Sequence, residues 1–184
     1  LSVAFAFRTG LFNIGSPGQL LIGGLLATVV GLTVSVPKPL LLALMSLAVD
    51  LVVRWGGEEF LALVPGMARE RVEPLAQRLL NAVAGMPVIL GEQRLDVTTS
   101  IGFAEFPLLP QCLAMPWDMA VDIVDNAMYV AKTLGRNRAC GISAVPAATL
   151  AEIDLLTQDL ERSWREGRVQ MKVLQGPAVQ GALA

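Results

Sequence analysis

Leu51-Val52-Val53-Arg54-Trp55-Gly56-Gly57-Glu58-Glu59-Phe60-Leu61-Ala62-Leu63-Val64 decides the fold of this chain. Two apolar runs flank a pair of glycines and a pair of acids, a pattern that predicts two strands joined by a tight turn. Gly56 and Gly57 supply the positive φ values that such a turn needs. Glycine also lets a ligand approach the backbone closely. Glu58 and Glu59 then stand where the strands meet, a place to hold a divalent cation and a phosphate.

Beyond this hairpin the sequence alternates between helix and strand signals. Residues 68–84 place Val72, Leu75, Ala76, Leu79, Leu80 and Val83 at helical spacing, with Arg69, Glu70, Glu73 and Arg78 on the opposite face. Residues 95–106 are rich in β-branched side chains and read as a strand. Residues 107–116 contain three prolines and read as loop. A second amphipathic helix is expected over 118–134, with Asp118 as N-cap and Gly135 as stop. A short strand over 137–142, a helix over 148–166 and a closing strand over 168–174 complete the pattern.

The first 50 residues have another texture. Their only charged side chains are Arg8, Lys38 and Asp50. Residues 20–36 are apolar or small throughout, close to the shortest span that crosses a bilayer. Gly24, Thr28 and Gly31 would let a second helix pack against it. Two placements stay open for this segment: across a membrane, or folded over an apolar sheet face.

Composition removes several chemistries. The 184 residues contain no histidine, which excludes Ser-His-Asp triads and histidine metal sites. Cys112 and Cys140 have neither metal spacing nor a disulfide framework around them. Any bound metal would meet oxygen ligands, which favours Mg²⁺, Mn²⁺ or Ca²⁺. The net charge of −2 argues against a broad nucleic-acid surface.

A second segment carries possible chemistry: Lys132-Thr133-Leu134-Gly135-Arg136-Asn137-Arg138. On a continuing helix Lys132 and Arg136 would share a face and converge on one anion. Carboxylates for a metal with Lys and Arg for phosphate oxygens make a metal–nucleotide site. By spacing alone, cations at a helix C-terminus are more often dipole partners and solvated surface, and an acidic pair in a hairpin turn usually faces solvent.

Three ordered motifs settle the choice by resemblance. Arg54-Trp55-Gly56-Gly57-Glu58-Glu59-Phe60 resembles the GGDEF motif of bacterial diguanylate cyclases, in its GGEEF form. Val97-Thr98-Thr99-Ser100-Ile101-Gly102 resembles that family's central strand, and Val124-Asp125-Asn126-Ala127-Met128-Tyr129-Val130-Ala131-Lys132 with Gly135-Arg136-Asn137-Arg138 resembles its final helix and turn. The resemblance covers about residues 48–145. It implies condensation of two GTP molecules into cyclic di-GMP, each half-site presented by one protomer of a dimer. It further implies Glu58 as a Mg²⁺ (or Mn²⁺) ligand and Glu59 as metal ligand or base toward the attacking 3′-hydroxyl. Gly56 and Gly57 would approach the substrate, and Lys132 and Arg136 would hold its terminal phosphates. Asp50 falls at the aspartate of the family's product-inhibition motif, whose arginine position is Leu47 here.

The chain departs from the family upstream. Nothing in residues 1–50 resembles its Asp-x-Asp-x-Phe-Lys strand or its Asn-Asp pair, which supply a further metal ligand and the guanine-reading groups. The expectation is that the sheet lacks its first strand and that catalysis is impaired. Instead, Phe12-Asn13-Ile14-Gly15-Ser16-Pro17-Gly18-Gln19 resembles a membrane segment of sugar- and nucleoside-type ABC-transporter permeases, over about residues 5–45.

The resulting expectations are these. Residues 1–47 form an apolar, permease-like helical segment, residues 48–175 a partial GGDEF domain, and residues 176–184 a tail. The fold is α+β, an antiparallel-rich sheet flanked by helices. GTP is the substrate, the partner is a second copy or another GGDEF domain, and nucleic acid is not a ligand. The location is the inner membrane with the domain in the cytoplasm, or the cytoplasm itself. The alternatives are a degenerate module that binds or pairs without turnover, and a fragment of a permease.

Overall fold

The computed structural model describes residues 2–8, 51–54, 59–64, 66–90, 92–108 and 115–178. Its strands are β1 (Ser2–Arg8), β2 (Leu51–Arg54), β3 (Glu59–Leu63), β4 (Val88–Leu90), β5 (Gln93–Leu95), β6 (Ser100–Phe106), β7 (Arg138–Ala144) and β8 (Gln170–Gln175). Its helices are α1 (Val72–Ala84), α2 (Trp117–Thr133), α3 (Leu150–Gln158) and α4 (Leu160–Arg165). Six strands form one sheet in the order β2-β3-β1-β6-β7-β8, and β4 and β5 form a separate hairpin.

The predicted hairpin exists. β2 and β3 pair antiparallel with Arg54 opposite Phe60 and Leu51 opposite Leu63. Alternation along β3 then decides what faces what. Phe60, Ala62 and Val64 join the apolar layer under α1, whereas Leu61 points into the layer under α2. β6 and β7 follow the same rule: Ile101, Phe103 and Ala139 face α1, and Ala104, Phe106, Cys140 and Ile142 face α2. β3, β6 and β7 are therefore buried on both faces, an arrangement that makes such strands apolar throughout. Burial pushes the Cys140 thiol up to about 12, so this cysteine is an unreactive filler.

Three expectations need correction. The sheet is mixed rather than antiparallel-rich: β1–β3, β1–β6 and β6–β7 are parallel, and antiparallel pairing is confined to the edges β2–β3 and β7–β8 and to the small hairpin. The sheet also does not lack a strand between β3 and β6. Ser2–Arg8, expected within a helical segment, fills that place with Ser2 opposite both Glu59 and Ser100. This supplies the ladder partners that β3 and β6 would otherwise leave unpaired. Finally, the long helix expected over 148–166 is two helices, broken at Asp159 (φ −122°, ψ 66°).

Among the described residues no helix is long and apolar enough to cross a membrane. The proposed span over residues 20–36, the rest of 9–50 and the tail from 179 onward lie outside the described residues.

The strand expected over 95–106 is confined to Ser100–Phe106, with Leu95 ending β5, whereas the α1 signal holds. The six periodic apolar residues of α1 are all buried. A 3₁₀ turn, Arg69–Arg71, leads into α1, and Arg69 fastens it to the sheet. Its Nε lies 3.2 Å from Glu105 and its Nη2 donates to the Ser143 carbonyl at 2.8 Å. In α2 the N-cap is Pro116 rather than Asp118, which occupies the first turn and complements the helix dipole there.

Candidate functional site

The site is assembled at the start of the parallel strands. β3, β1 and β6 begin side by side, with Glu59, Ser2 and Ser100 in register. Because Glu59 precedes Leu61 by two residues, it shares Leu61's orientation toward α2. The C-terminal end of α2 arrives at the same edge, and Lys132 Nζ donates to Glu59 Oε1 at 2.9 Å. These two residues are 73 positions apart in sequence, and the fold brings them into contact.

The height of α2 above the sheet sets this contact. A Cβ built on Gly102 would lie 1.9 Å from the Val124 carbonyl oxygen and 2.4 Å from the Met128 nitrogen. Only glycine permits the helix backbone to rest directly on β6 there. On the neighbouring strand, Gly141 leaves room for the Phe103 ring.

The end of α2 is a Schellman motif. The Gly135 amide donates to the Lys132 carbonyl at 3.3 Å and the Arg136 amide to the Ala131 carbonyl at 3.0 Å. Gly135 (φ 113°), Arg136 (φ 59°) and Asn137 (φ 47°) then follow in succession with positive φ. The spacing argument for Lys132 and Arg136 is thereby corrected. The helix ends at Thr133, so Arg136 is not its neighbour on a helical face but lies on the turn beyond it. Both are nevertheless carried by α2 and the turn that closes it.

Of the residues singled out from sequence, the structure brings Glu59 and Lys132 together and places Arg136 three residues past the end of α2. Gly56, Gly57, Glu58 and Asp50 lie outside the described residues. Among the described residues no group of three or more metal-binding side chains occurs. Glu59, paired with Lys132, is a described carboxylate that is partly solvent-accessible. An oxygen donor of this kind fits Mg²⁺ or Mn²⁺ when substrate phosphate and water complete the shell.

Asp125 is a residue whose place in the site was not singled out from sequence. It lies on α2 two turns before Lys132. Although solvent-accessible, it loses water on its protein-facing side. That desolvation, with the negative charges of Glu59 and Asp122, raises its carboxyl above the ordinary value, and Lys132 opposes the shift. Its sequence signal was an acidic residue in the α2 motif seven positions before the lysine, which reads equally well as solvated surface.

Comparison with known proteins places the sequence in a family. The family described as "Diguanylate cyclase, GGDEF domain" matches residues 39–138, more than half of the chain. The response regulator PleD of Caulobacter vibrioides is 34% identical over 102 residues, 53% of this chain and 21% of that protein. Diguanylate cyclase DgcP of Pseudomonas aeruginosa is 34% identical over 89 residues, 48% of this chain and 12% of that protein. The guanosine ABC transporter permease protein NupP of Bacillus subtilis is 37% identical over 87 residues, 46% of this chain and 24% of that protein. The chain thus spans less than a quarter of each of these relatives. No solved structure matches it. With its hairpin, its α2 motif and the contact between them in place, the chain belongs to the diguanylate cyclase family of GGDEF domains.

Proposed function

We propose that residues 48–175 bind GTP with a divalent cation in the manner of a diguanylate cyclase half-site, with turnover impaired. The observation that carries this reading is the 2.9 Å ion pair between Glu59 and Lys132. One belongs to the glutamate pair after the glycines and the other to the α2 motif. Their contact puts a cation ligand and a phosphate ligand at one place.

The resemblance to the family assigns the roles, and the charges fit them. Glu58 and Glu59 would hold Mg²⁺ or Mn²⁺, Lys132 and Arg136 would hold the terminal phosphates, and Gly56 and Gly57 would let the nucleotide lie against the backbone. The bound cation would neutralise phosphate charge during displacement. In the reaction a 3′-hydroxyl of one GTP attacks the α-phosphorus of the other, pyrophosphate leaves, and the hydroxyl proton passes to a base, for which Glu59 is the candidate. Two such bonds close the cyclic dinucleotide, which requires two half-sites and hence a second copy or another GGDEF domain. GTP as substrate makes the cytoplasm the expected location.

Impairment is supported by the strand beside the site. Ser2 is the residue opposite Glu59 on β1, and the sequence of Ser2–Arg8 contains no acid. A second carboxylate from that strand is therefore absent. A module that binds nucleotide without turnover is the second reading, favoured by the same observation. Similarity to a permease supports an apolar accessory role for part of residues 1–47, and Asp50 without its arginine leaves product feedback weak.

The test is incubation of the full chain with GTP and Mg²⁺, alongside calorimetric titration with GTP. Binding that Lys132→Ala weakens, with little cyclic di-GMP formed, is the expected result. Cyclic di-GMP produced at a rate typical of the family and abolished by Glu59→Gln would overturn impairment. Absence of GTP binding would overturn the nucleotide reading.

A further inference from the structure

We propose that Asn137 is a positioning residue that sets Arg136 for phosphate by clamping the exit of β8 against the turn after α2. This rests on the phosphate-binding reading of Arg136 given above.

The turn is an improbable conformation for its sequence. Gly135, Arg136 and Asn137 all have positive φ, and Arg136 is a long side chain at φ 59°. Side chains other than Gly, Asn and Asp occupy this region at a cost, so surrounding contacts must hold Arg136 there. The Schellman bonds fix the turn from the helix side, and Arg138 Nε donates to the Arg136 carbonyl at 2.9 Å.

From the other side the turn is held by Asn137. Its Nδ2 donates to the Pro177 carbonyl at 2.9 Å, and its own carbonyl accepts from the Gly176 amide at 2.8 Å. One residue thereby grips two successive residues after β8. The grip extends the β7–β8 ladder, in which Arg138 pairs with Gln175, by one position. Gln77 Nε2 donates to the Gln175 carbonyl at 3.0 Å, so α1 holds the same strand end.

The packing is specific to glycine on the opposing side. A Cβ at Gly176 would fall 2.0 Å from Asn137 Oδ1 and 2.7 Å from its backbone oxygen. Asn137 Oδ1 is itself buried without a hydrogen-bond partner among the described residues. Such burial is unfavourable unless the position is held for another reason, and the clamp supplies one. Asn both tolerates positive φ and carries the amide that reaches Pro177.

The consequence is that the tail beginning at residue 176, remote in sequence from the hairpin, controls how well Arg136 meets phosphate. Substitutions on the two sides of the clamp separate this from general stability. Asn137→Gly keeps the backbone freedom and the Gly176 amide bond but removes the side-chain bond to Pro177, so the strand exit is held at one residue instead of two, and Gly176→Ala attacks the clamp from the partner strand. Each is expected to weaken GTP binding several-fold by calorimetry and to speed amide exchange at Gly176. Each effect on affinity is expected to disappear in an Arg136→Ala background, because no arginine is left to position.

Unchanged exchange in Asn137→Gly overturns the clamp. Faster exchange with full affinity, or an affinity loss that persists undiminished in the Arg136→Ala background, overturns the positioning role. If Arg136→Ala alone costs no affinity, the phosphate reading fails and positioning with it, whereas faster exchange in Asn137→Gly still upholds the clamp.

Discussion

Gly102 and Val124 are in backbone contact across the sheet–helix interface, so close that a methyl group on Gly102 would sit 1.9 Å from the Val124 carbonyl oxygen. The obstacle is backbone, which cannot rotate away as a flexible side chain would. Gly102→Ala must therefore lift α2 or bend β6. Overpacking of this kind costs about 3 kcal/mol, and thermal or urea unfolding should read a loss of that size. Since α2 carries Lys132, GTP affinity should fall as well. A variant as stable as the parent would show that the helix does not rest on the strand.

On the proposed nucleotide reading, the Glu59–Lys132 pair is expected to matter for binding far more than for folding. Its side chains are 36% and 28% exposed, and pairs this accessible contribute about 0–1 kcal/mol to stability. Lys132→Ala and Glu59→Gln should each leave the unfolding midpoint almost unchanged. The same lysine on a phosphate makes a charge-assisted contact of about 1.5–3 kcal/mol. Lys132→Ala should therefore weaken GTP about tenfold or more in calorimetry. A large stability loss with unchanged affinity would assign the pair to folding instead.

What could be read from sequence divides along physical lines. α1 and α2 carry period-3.6 patterns because each buries one face, and the hairpin was marked by two apolar runs around its glycines, so these elements could be located. Ser2–Arg8 was hidden for the opposite reason. Its run over residues 3–7 is continuously apolar, without the alternation or turn residues that would separate a strand from the apolar helical segment expected there. The contact between Glu59 and Lys132 was legible only as chemistry. Residue types suggested a shared anion and cation site, but a separation of 73 residues is closed by topology, which no local pattern reports. Arg136 shows the limit of spacing arguments. Four residues from Lys132 implies a shared face only while the helix continues, and Gly135 ends it.

Asp125 gives the site a pH dependence with a definite sign. Its carboxyl is raised above the ordinary 3.8, first by burial and then by Glu59, with Lys132 opposing. The folded state therefore holds the proton more tightly than the unfolded chain. The stability linked to this group is fully present below the unfolded pKa and is lost as pH rises through the folded one. Asp125→Asn removes the charge that the site disfavours, so the variant should gain stability relative to the parent as pH rises from about 4 toward neutrality. A pH series of thermal unfolding measures this. A parent that gains on the variant over the same range would reverse the assignment.

Asp159 divides one apolar pattern into two helices. Periodicity runs through residues 148–166 without interruption, since Ile153, Thr157, Leu160 and Ser163 are all buried. The break is made by the backbone of Asp159, whose side chain accepts from the Arg162 amide at 3.3 Å and caps α4. At the start of α3, Thr149 and Glu152 form a full capping box. That box remains intact when Asp159 is changed. Asp159→Ala should cost about 1 kcal/mol, the usual loss for a helix N-cap, and a continuous helix through 159 would then compete with the break. The discriminating measurement is amide exchange at Arg162. Faster exchange there with unchanged protection in α3 is expected, and protection spreading across 158–162 would show that the cap, rather than the packing of Leu160 and Ser163, maintains the two-helix form.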